Sequence, residues 1–213
     1  MSLINFYSQI KQSKKFNPNY DEHHIEIPFR MLICCSSGSG KTNYVTNILY
    51  ELNNTLHKLI IITKAPEPLY DLLEKRLKNR VEIFYDGKMP EFEKLDKDKN
   101  GLIIFDDMVL TPNKSIGELF IRGRKLGYSS IFISQSFYKT DSIIRQNINY
   151  IALGPGINKR NLRMILSEYS VNMTIDELEE LYFNLTKEHM NFMLIDLVGR
   201  NIRHNIKDIV KIF

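Results

Sequence analysis

Short continuous apolar runs recur along the chain, and amphipathic stretches separate them. Leu59-Ile-Ile-Ile-Thr63, Leu102-Ile-Ile-Phe105, Ser130-Ile-Phe-Ile-Ser134 and Tyr150-Ile-Ala-Leu153 each read as a strand buried on both faces, as does 29–34. Helical spacing predicts helices over Thr42–Leu52, with Val45, Ile48, Leu49 and Leu52 inward, and over Pro66–Lys78, with Leu69, Leu72, Leu73 and Leu77 on one side. Further helices are expected over Asn113–Leu126 (closed by Gly127), Asp141–Asn147, Asn158–Tyr169 and Ile175–Lys187. Val81–Tyr85 alternates, as a peripheral strand does, and the charged stretch Met89–Gly101 reads as a surface excursion. Phe192–Leu197 and Asn201–Ile206 predict a late C-terminal β-hairpin around Gly199. Strands alternating with helices imply an α/β fold, a mostly parallel central sheet flanked by helices, with ligand at the carboxyl ends of the strands.

Residues 1–24 are polar with scattered aromatics, and Asn17-Pro18-Asn19 interrupts any helix, so they read as an arm packing on the domain 25–213 or on a neighbour. A chain of 213 residues suffices for one such domain with a real core. The N-terminal Met1-Ser-Leu-Ile-Asn-Phe lacks a signal-peptide pattern, and no apolar run has the length of a membrane span. The cysteines, Cys34 and Cys35, are adjacent on a strand and point to opposite faces, which argues against a disulfide and fits a reducing, intracellular setting. A formal charge of +4 permits nucleic-acid contact without demanding it.

Chemistry enters where the first apolar run stops. Met31-Leu-Ile-Cys-Cys-Ser36-Ser37-Gly38-Ser39-Gly40-Lys41-Thr42 is a buried strand, a small-residue turn and a helix start, the arrangement of a phosphate-binding loop. Gly38 and Gly40 allow close backbone approach, Lys41 would neutralise β- and γ-phosphates, and the Thr42 hydroxyl would coordinate Mg²⁺. The full pattern wants glycine where Cys35 stands. The strand ending in Asp106-Asp107 delivers acid to the same site: Asp106 suits the magnesium shell, and Asp107 is placed to orient or deprotonate an attacking water. Gln135 follows another buried strand; on spacing alone it reads as a surface-loop residue.

Pro28-Phe-Arg-Met-Leu-Ile before Ser-Gly-Ser-Gly-Lys-Thr, then Ile-Ile-Phe-Asp-Asp-Met, resembles the FtsK–HerA group of P-loop motors. Phe120-Ile-Arg-Gly-Arg-Lys, Ile131-Phe-Ile-Ser-Gln-Ser, Ile143-Ile-Arg-Gln-Asn and Leu194-Ile-Asp-Leu ahead of Arg203-His-Asn-Ile look like the short genome-packaging ATPases of large DNA viruses, virophages and Polinton-type elements, the poxvirus-like branch included. The resemblance covers roughly residues 25–206. It implies a RecA-like ATPase using ATP and Mg²⁺, assembled as a homo-oligomeric ring that drives double-stranded DNA into a capsid. A capsid or portal-vertex protein is the implied partner. The implied setting is the host-cell cytoplasm or viral factory, with transient association with the virion. Gln135 becomes the γ-phosphate sensor under this resemblance. The resemblance also implies an arginine finger from a neighbouring subunit, for which Arg122 and Arg124 lead and Arg145 is in reserve; a surface cation or phosphate anchor is the alternative for each. Asp107 stands where many P-loop motors carry glutamate.

A motor that accepts any sequence should hold DNA by its phosphates, through Lys159, Arg160 and Arg163 or through Lys11, Lys14 and Lys15, although either set also reads as a solvated face. A helicase-like translocase remains a related reading, and a small-molecule or nucleotide kinase is the alternative from another class. A kinase expects a lid with clustered arginines, and 141–160 offers only scattered ones. Asn113-Lys114-Ser115-Ile116 begins like a guanine-reading motif but has Ile116 where the aspartate belongs, so a GTP switch is set aside.

Overall fold

The computed structural model describes residues 16–86, 88–91, 95–96, 99–108, 114–169 and 171–213, without the side chains of Lys114 and Ser115. Lys11, Lys14, Lys15, Asn113 and part of the expected excursion lie outside the described residues. The strands are β1 (Arg30–Cys34), β2 (Lys58–Ile62), β3 (Val81–Phe84), β4 (Gly101–Phe105), β5 (Tyr128–Ser134), β6 (Tyr150–Leu153), β7 (Met193–Asp196), β8 (Asn201–His204) and β9 (Asp208–Ile212). The helices are α1 (Tyr20–His23), α2 (Lys41–Glu51), α3 (Pro68–Leu77), α4 (Lys114–Arg122), α5 (Ser142–Arg145), α6 (Lys159–Glu168) and α7 (Ile175–Leu185). Among the described residues no helix is long and apolar enough to cross a membrane.

The described strands form one sheet in the order β3-β2-β4-β5-β1-β6-β7-β8-β9. Pairing is parallel from β3 through β6 and antiparallel from β6 to β9. Alternation along each strand divides the core between two faces. Met31, Ile33, Ile61, Ile104 and Ile133 meet Val45, Ile48 and Tyr70 of α2 and α3. Leu32, Ile62, Phe105 and Phe132 meet Ile116, Phe120, Leu162 and Tyr182 of α4, α6 and α7. Burying apolar side chains on both faces is why these strands read as unbroken hydrophobic runs.

Three features depart from the sequence reading. The late hairpin gains a further strand, β9, which every residue leaves exposed. An edge strand without a buried face carries no period-2 contrast to read. In α3 the buried positions are Tyr70 and Leu73, whereas Leu72 is 39 % exposed. The helix expected to reach Leu126 tightens after Arg122 into a 3₁₀ turn over Gly123–Leu126, closed by left-handed Gly127 at φ 86°.

The described part of the N-terminal segment packs on the body of its own chain. The Arg203 guanidinium, 1 % exposed, ion-pairs with buried Asp196 and donates to the carbonyls of His23 (2.9 Å) and His24 (3.1 Å) and to Asn201 (2.8 Å). Asp196 accepts in addition from the Val198 (2.9 Å) and Gly199 (2.7 Å) amides. Satisfying every buried charge in this way offsets the cost of taking the pair out of water and clamps residues 23–24 to the antiparallel part of the sheet.

Candidate functional site

Parallel β1, β2, β4 and β5 all end at one edge, and their register aligns Ile62 with Phe105 and Cys34 with Ser134. The connections leaving that edge carry the predicted chemistry. From β1 the chain turns through Gly38 (φ 73°) and Gly40 (φ 86°) into α2, whose first helical residue is Lys41. The N–H groups of a helix's first turn have no intrahelical acceptor, so this loop presents donors and a positive dipole end to an anion. The Lys41 ammonium reaches back to the Ser36 carbonyl at 2.8 Å.

Cys35 is fully buried in the core on the α2 face. A side chain pointing into that core leaves the phosphate side free, which is why the loop tolerates cysteine where the full motif has glycine. Burial pushes both thiols up to about 12, and neither forms a disulfide. The loop is braced from β6. The Pro155 carbonyl accepts from the Ser36 amide and from the Ser36 and Ser39 hydroxyls, each at 3.2 Å. The Gly154 carbonyl takes the Tyr182 hydroxyl at 2.8 Å. Ser36 and Ser39 therefore spend their side chains on supporting the loop, while Ser37 and Gly38 are exposed on it.

Asp106 follows β4, and its amide continues the ladder to the Ile62 carbonyl at 2.9 Å. Tyr70, reaching over from α3, donates to Asp106 Oδ2 at 2.7 Å. Burial pushes the Asp106 carboxyl above its ordinary range, with Asp107 and Glu67 adding to the rise and the Tyr70 hydrogen bond and Lys41 opposing it. Asp107 is exposed in a left-handed conformation (φ 55°), and Gln135 is exposed just past β5. Lys41, Thr42, Asp106, Asp107 and Gln135, with Ser37, Gly38 and Gly40, line one cavity of about 440 Å³. Glu67 and Met190 line it as well. Tyr70, Glu67, Met190 and Pro155 escaped the sequence reading because tertiary packing, not spacing, brings them to the loop.

Arg122 and Arg124 are not in this cavity. Helix α4 runs back toward the opposite edge, where Gly127 accepts from the amide of Gly101, the first residue of β4. Arg124 lies near Arg30 at the start of β1, where burial and then the Arg124 charge lower the Arg30 guanidinium. A five-residue strand such as β1 is about 16 Å long, so neither arginine serves the loop of its own chain. Arg145 pairs with Glu168 at 2.5 Å and lies over the Phe137 ring at 5.2 Å. On α6, Lys159 and Arg163 flank buried Glu179 at 3.0 and 3.6 Å, and Arg160 covers the Tyr138 ring at 5.1 Å. Glu179 is thus turned toward α6 and away from solvent.

The chain is 26 % identical over 164 residues to the DNA packaging protein OPG160 of Monkeypox virus, across 69 % of this chain and 53 % of that protein. It therefore spans about half the length of that relative. Among solved structures it resembles the genome packaging NTPase B204 of Sulfolobus turreted icosahedral virus 2 in complex with sulfate, with a TM-score of 0.63 and 15 % identity over 88 % of this chain and 100 % of that one. The same NTPase in complex with ATP-gammaS gives a TM-score of 0.58 and 16 % identity over 87 % of this chain and 100 % of that one. The fold is accordingly that of the packaging NTPases. With residues 14–198 matched by the model of the Poxvirus A32 protein, the chain belongs to that family.

Proposed function

We propose that this chain is an ATP-hydrolysing motor that packages double-stranded DNA into a capsid. The observation that carries the reading is the meeting, at one sheet edge, of the glycine loop with Lys41, the acids Asp106 and Asp107, and Gln135 around a single cavity. The family and the names of the relatives point the same way: one is a DNA packaging protein, the other a packaging NTPase solved with an ATP analogue.

The loop amides and Lys41 hold the β- and γ-phosphates. The donors offered to Mg²⁺ are oxygens, the Thr42 hydroxyl and Asp106, which suit a hard cation. Tyr70 occupies Oδ2 of Asp106 and leaves Oδ1 for the metal shell. When bound there, Mg²⁺ neutralises phosphate charge as it develops. Asp107 orients a water and takes its proton as the oxygen bonds to the γ-phosphorus, while ADP leaves with the bridging oxygen. Gln135 reads the γ-phosphate. Arg122 or Arg124 completes the site from the adjacent subunit of a homo-oligomeric ring, which is how an arginine at the opposite sheet edge meets a phosphate.

DNA is held by its phosphates. The two cations around Glu179, together with Arg160, leave α6 with an excess of positive charge for such contacts. A capsid or portal-vertex protein is the docking partner, and the work is done in the host-cell cytoplasm or viral factory. The direct test is Lys41→Ala, which should abolish ATP hydrolysis while the fold, followed by circular dichroism, stays intact; unchanged turnover would overturn the assignment of the loop.

A further inference from the structure

The cavity around the phosphate loop continues into a second one. Asn43 and Met190 line both, and the second, of about 350 Å³, runs between α2 and the turns on either side of β7 and β8. Asn43 and Asn47, one helical turn apart, form one wall; Met190, Asn205 and Ile206 form the other. The Lys207–Glu51 ion pair, at 2.7 Å, stands at the far end.

Topology fixes which end of a nucleotide this groove can take. Asp106 and Gln135 follow β4 and β5, which lie to one side of β1. Met190 and Asn205 flank β7 and β8, on the other side of β1 and at the same sheet edge, because β7 runs antiparallel and begins beside Leu153, the last residue of β6. A triphosphate with its γ end at Asp106 and Gln135 therefore extends its nucleoside toward Met190. The groove suits an uncharged aromatic base. Met190 is 46 % exposed, held left-handed at φ 68°, and lies against Gly40 of the loop, where an added Cβ would stand 2.8 Å from Met190 Cγ. The walls are already set. Phe192 stacks on Tyr44 with ring centroids 4.1 Å apart, its amide donates to Asn205 Oδ1 at 2.9 Å, and the Tyr44 hydroxyl donates to the Asn205 carbonyl at 2.8 Å. Asn43 donates weakly to Met190 Sδ at 3.6 Å.

We infer that this groove is the nucleoside subsite: Met190 is the apolar platform for the base, and Asn43 and Asn47 supply the amides that hydrogen-bond to base and ribose. The inference rests on the nucleotide reading above. Two variants of the full chain test it by calorimetric titration with ATPγS and, separately, with inorganic tripolyphosphate. Met190→Gly removes the platform where glycine accepts the backbone angle freely. Asn47→Trp fills the groove from an exposed helix position. Each should weaken ATPγS binding roughly tenfold, the scale of losing one buried apolar contact, and leave tripolyphosphate binding unchanged. Equal weakening of both ligands would make Met190 a support of the loop and overturn the inference. So would ATPγS affinity unchanged in both variants, with the nucleotide reading left standing. A wild-type chain that binds neither ligand would overturn both.

Discussion

The Tyr70 hydroxyl donates a 2.7 Å hydrogen bond to Oδ2 of Asp106, tying helix α3 to the acid at the end of β4. A buried carboxylate resists ionisation, and a donor fixed on one of its oxygens both favours the charged form and aims the other oxygen. Tyr70→Phe removes that donor without changing the volume of the side chain. Turnover should fall about tenfold, the value of roughly 1.5 kcal/mol expected for a hydrogen bond to a charged group. The Mg²⁺ concentration needed for half-maximal rate should rise, while the melting temperature changes little. An unaltered Mg²⁺ requirement would separate Tyr70 from the metal site.

The two loop glycines should respond differently to alanine. Both hold left-handed angles, which cost an alanine about 1 kcal/mol. At Gly38 nothing lies within 4 Å of an added Cβ, so that cost stands alone. At Gly40 the new atom meets Met190, and Gly40→Ala should lose about 2 kcal/mol in urea unfolding together with most nucleotide affinity. Equal losses for the two variants would mean that the Met190 turn yields readily.

His23 gives the fold a calculable pH dependence. It is fully buried, its Nδ1 accepts the Ile25 amide at 2.9 Å, and burial lowers its pKa from 6.5 to about 4. The unfolded imidazole takes its proton near 6.5, whereas the folded one resists until about 4, so the unfolded state binds more protons between these values. Stability complete above pH 6.5 is therefore lost as pH falls toward 4, by about 2 kcal/mol after allowing for solvent screening. His23→Asn keeps an acceptor and cannot titrate. Melting curves from pH 7 to 4.5 should show a flatter decline for the variant; parallel declines would remove His23 as the cause.

Much of this architecture was legible because buried parallel strands write continuous apolar runs and phosphate loops require particular small residues. Leu102–Phe105 and Lys41-Thr42 could be placed without coordinates for that reason. Whatever depends on long-range packing could not be. Nothing local distinguishes Tyr70 from its leucine neighbours in α3, yet it is Tyr70 that reaches Asp106. β9 has no buried side, and the closeness of Met190 to Gly40 spans the length of the sheet's connections. A short phrase points to Arg122 and Arg124, and only the fold reveals that neither lines the cavity of its own loop.

That placement makes a mixing experiment decisive for the arginines. Arg122→Ala and Arg124→Ala should each lose turnover, by as much as about a thousandfold for the true finger. Mixing the inactive variant with Lys41→Ala should restore activity, because a mixed ring pairs an intact loop with an intact arginine. No recovery at any ratio would argue against sites shared between subunits.

Whether this ATPase works on DNA is decided by its steady-state ATP hydrolysis rate with and without double-stranded DNA. Strong stimulation is expected from duplexes of unrelated sequence, weakening as salt rises because the contacts are to phosphates. A rate indifferent to DNA, with the γ-phosphate appearing on a small acceptor instead of in solution, would contradict it.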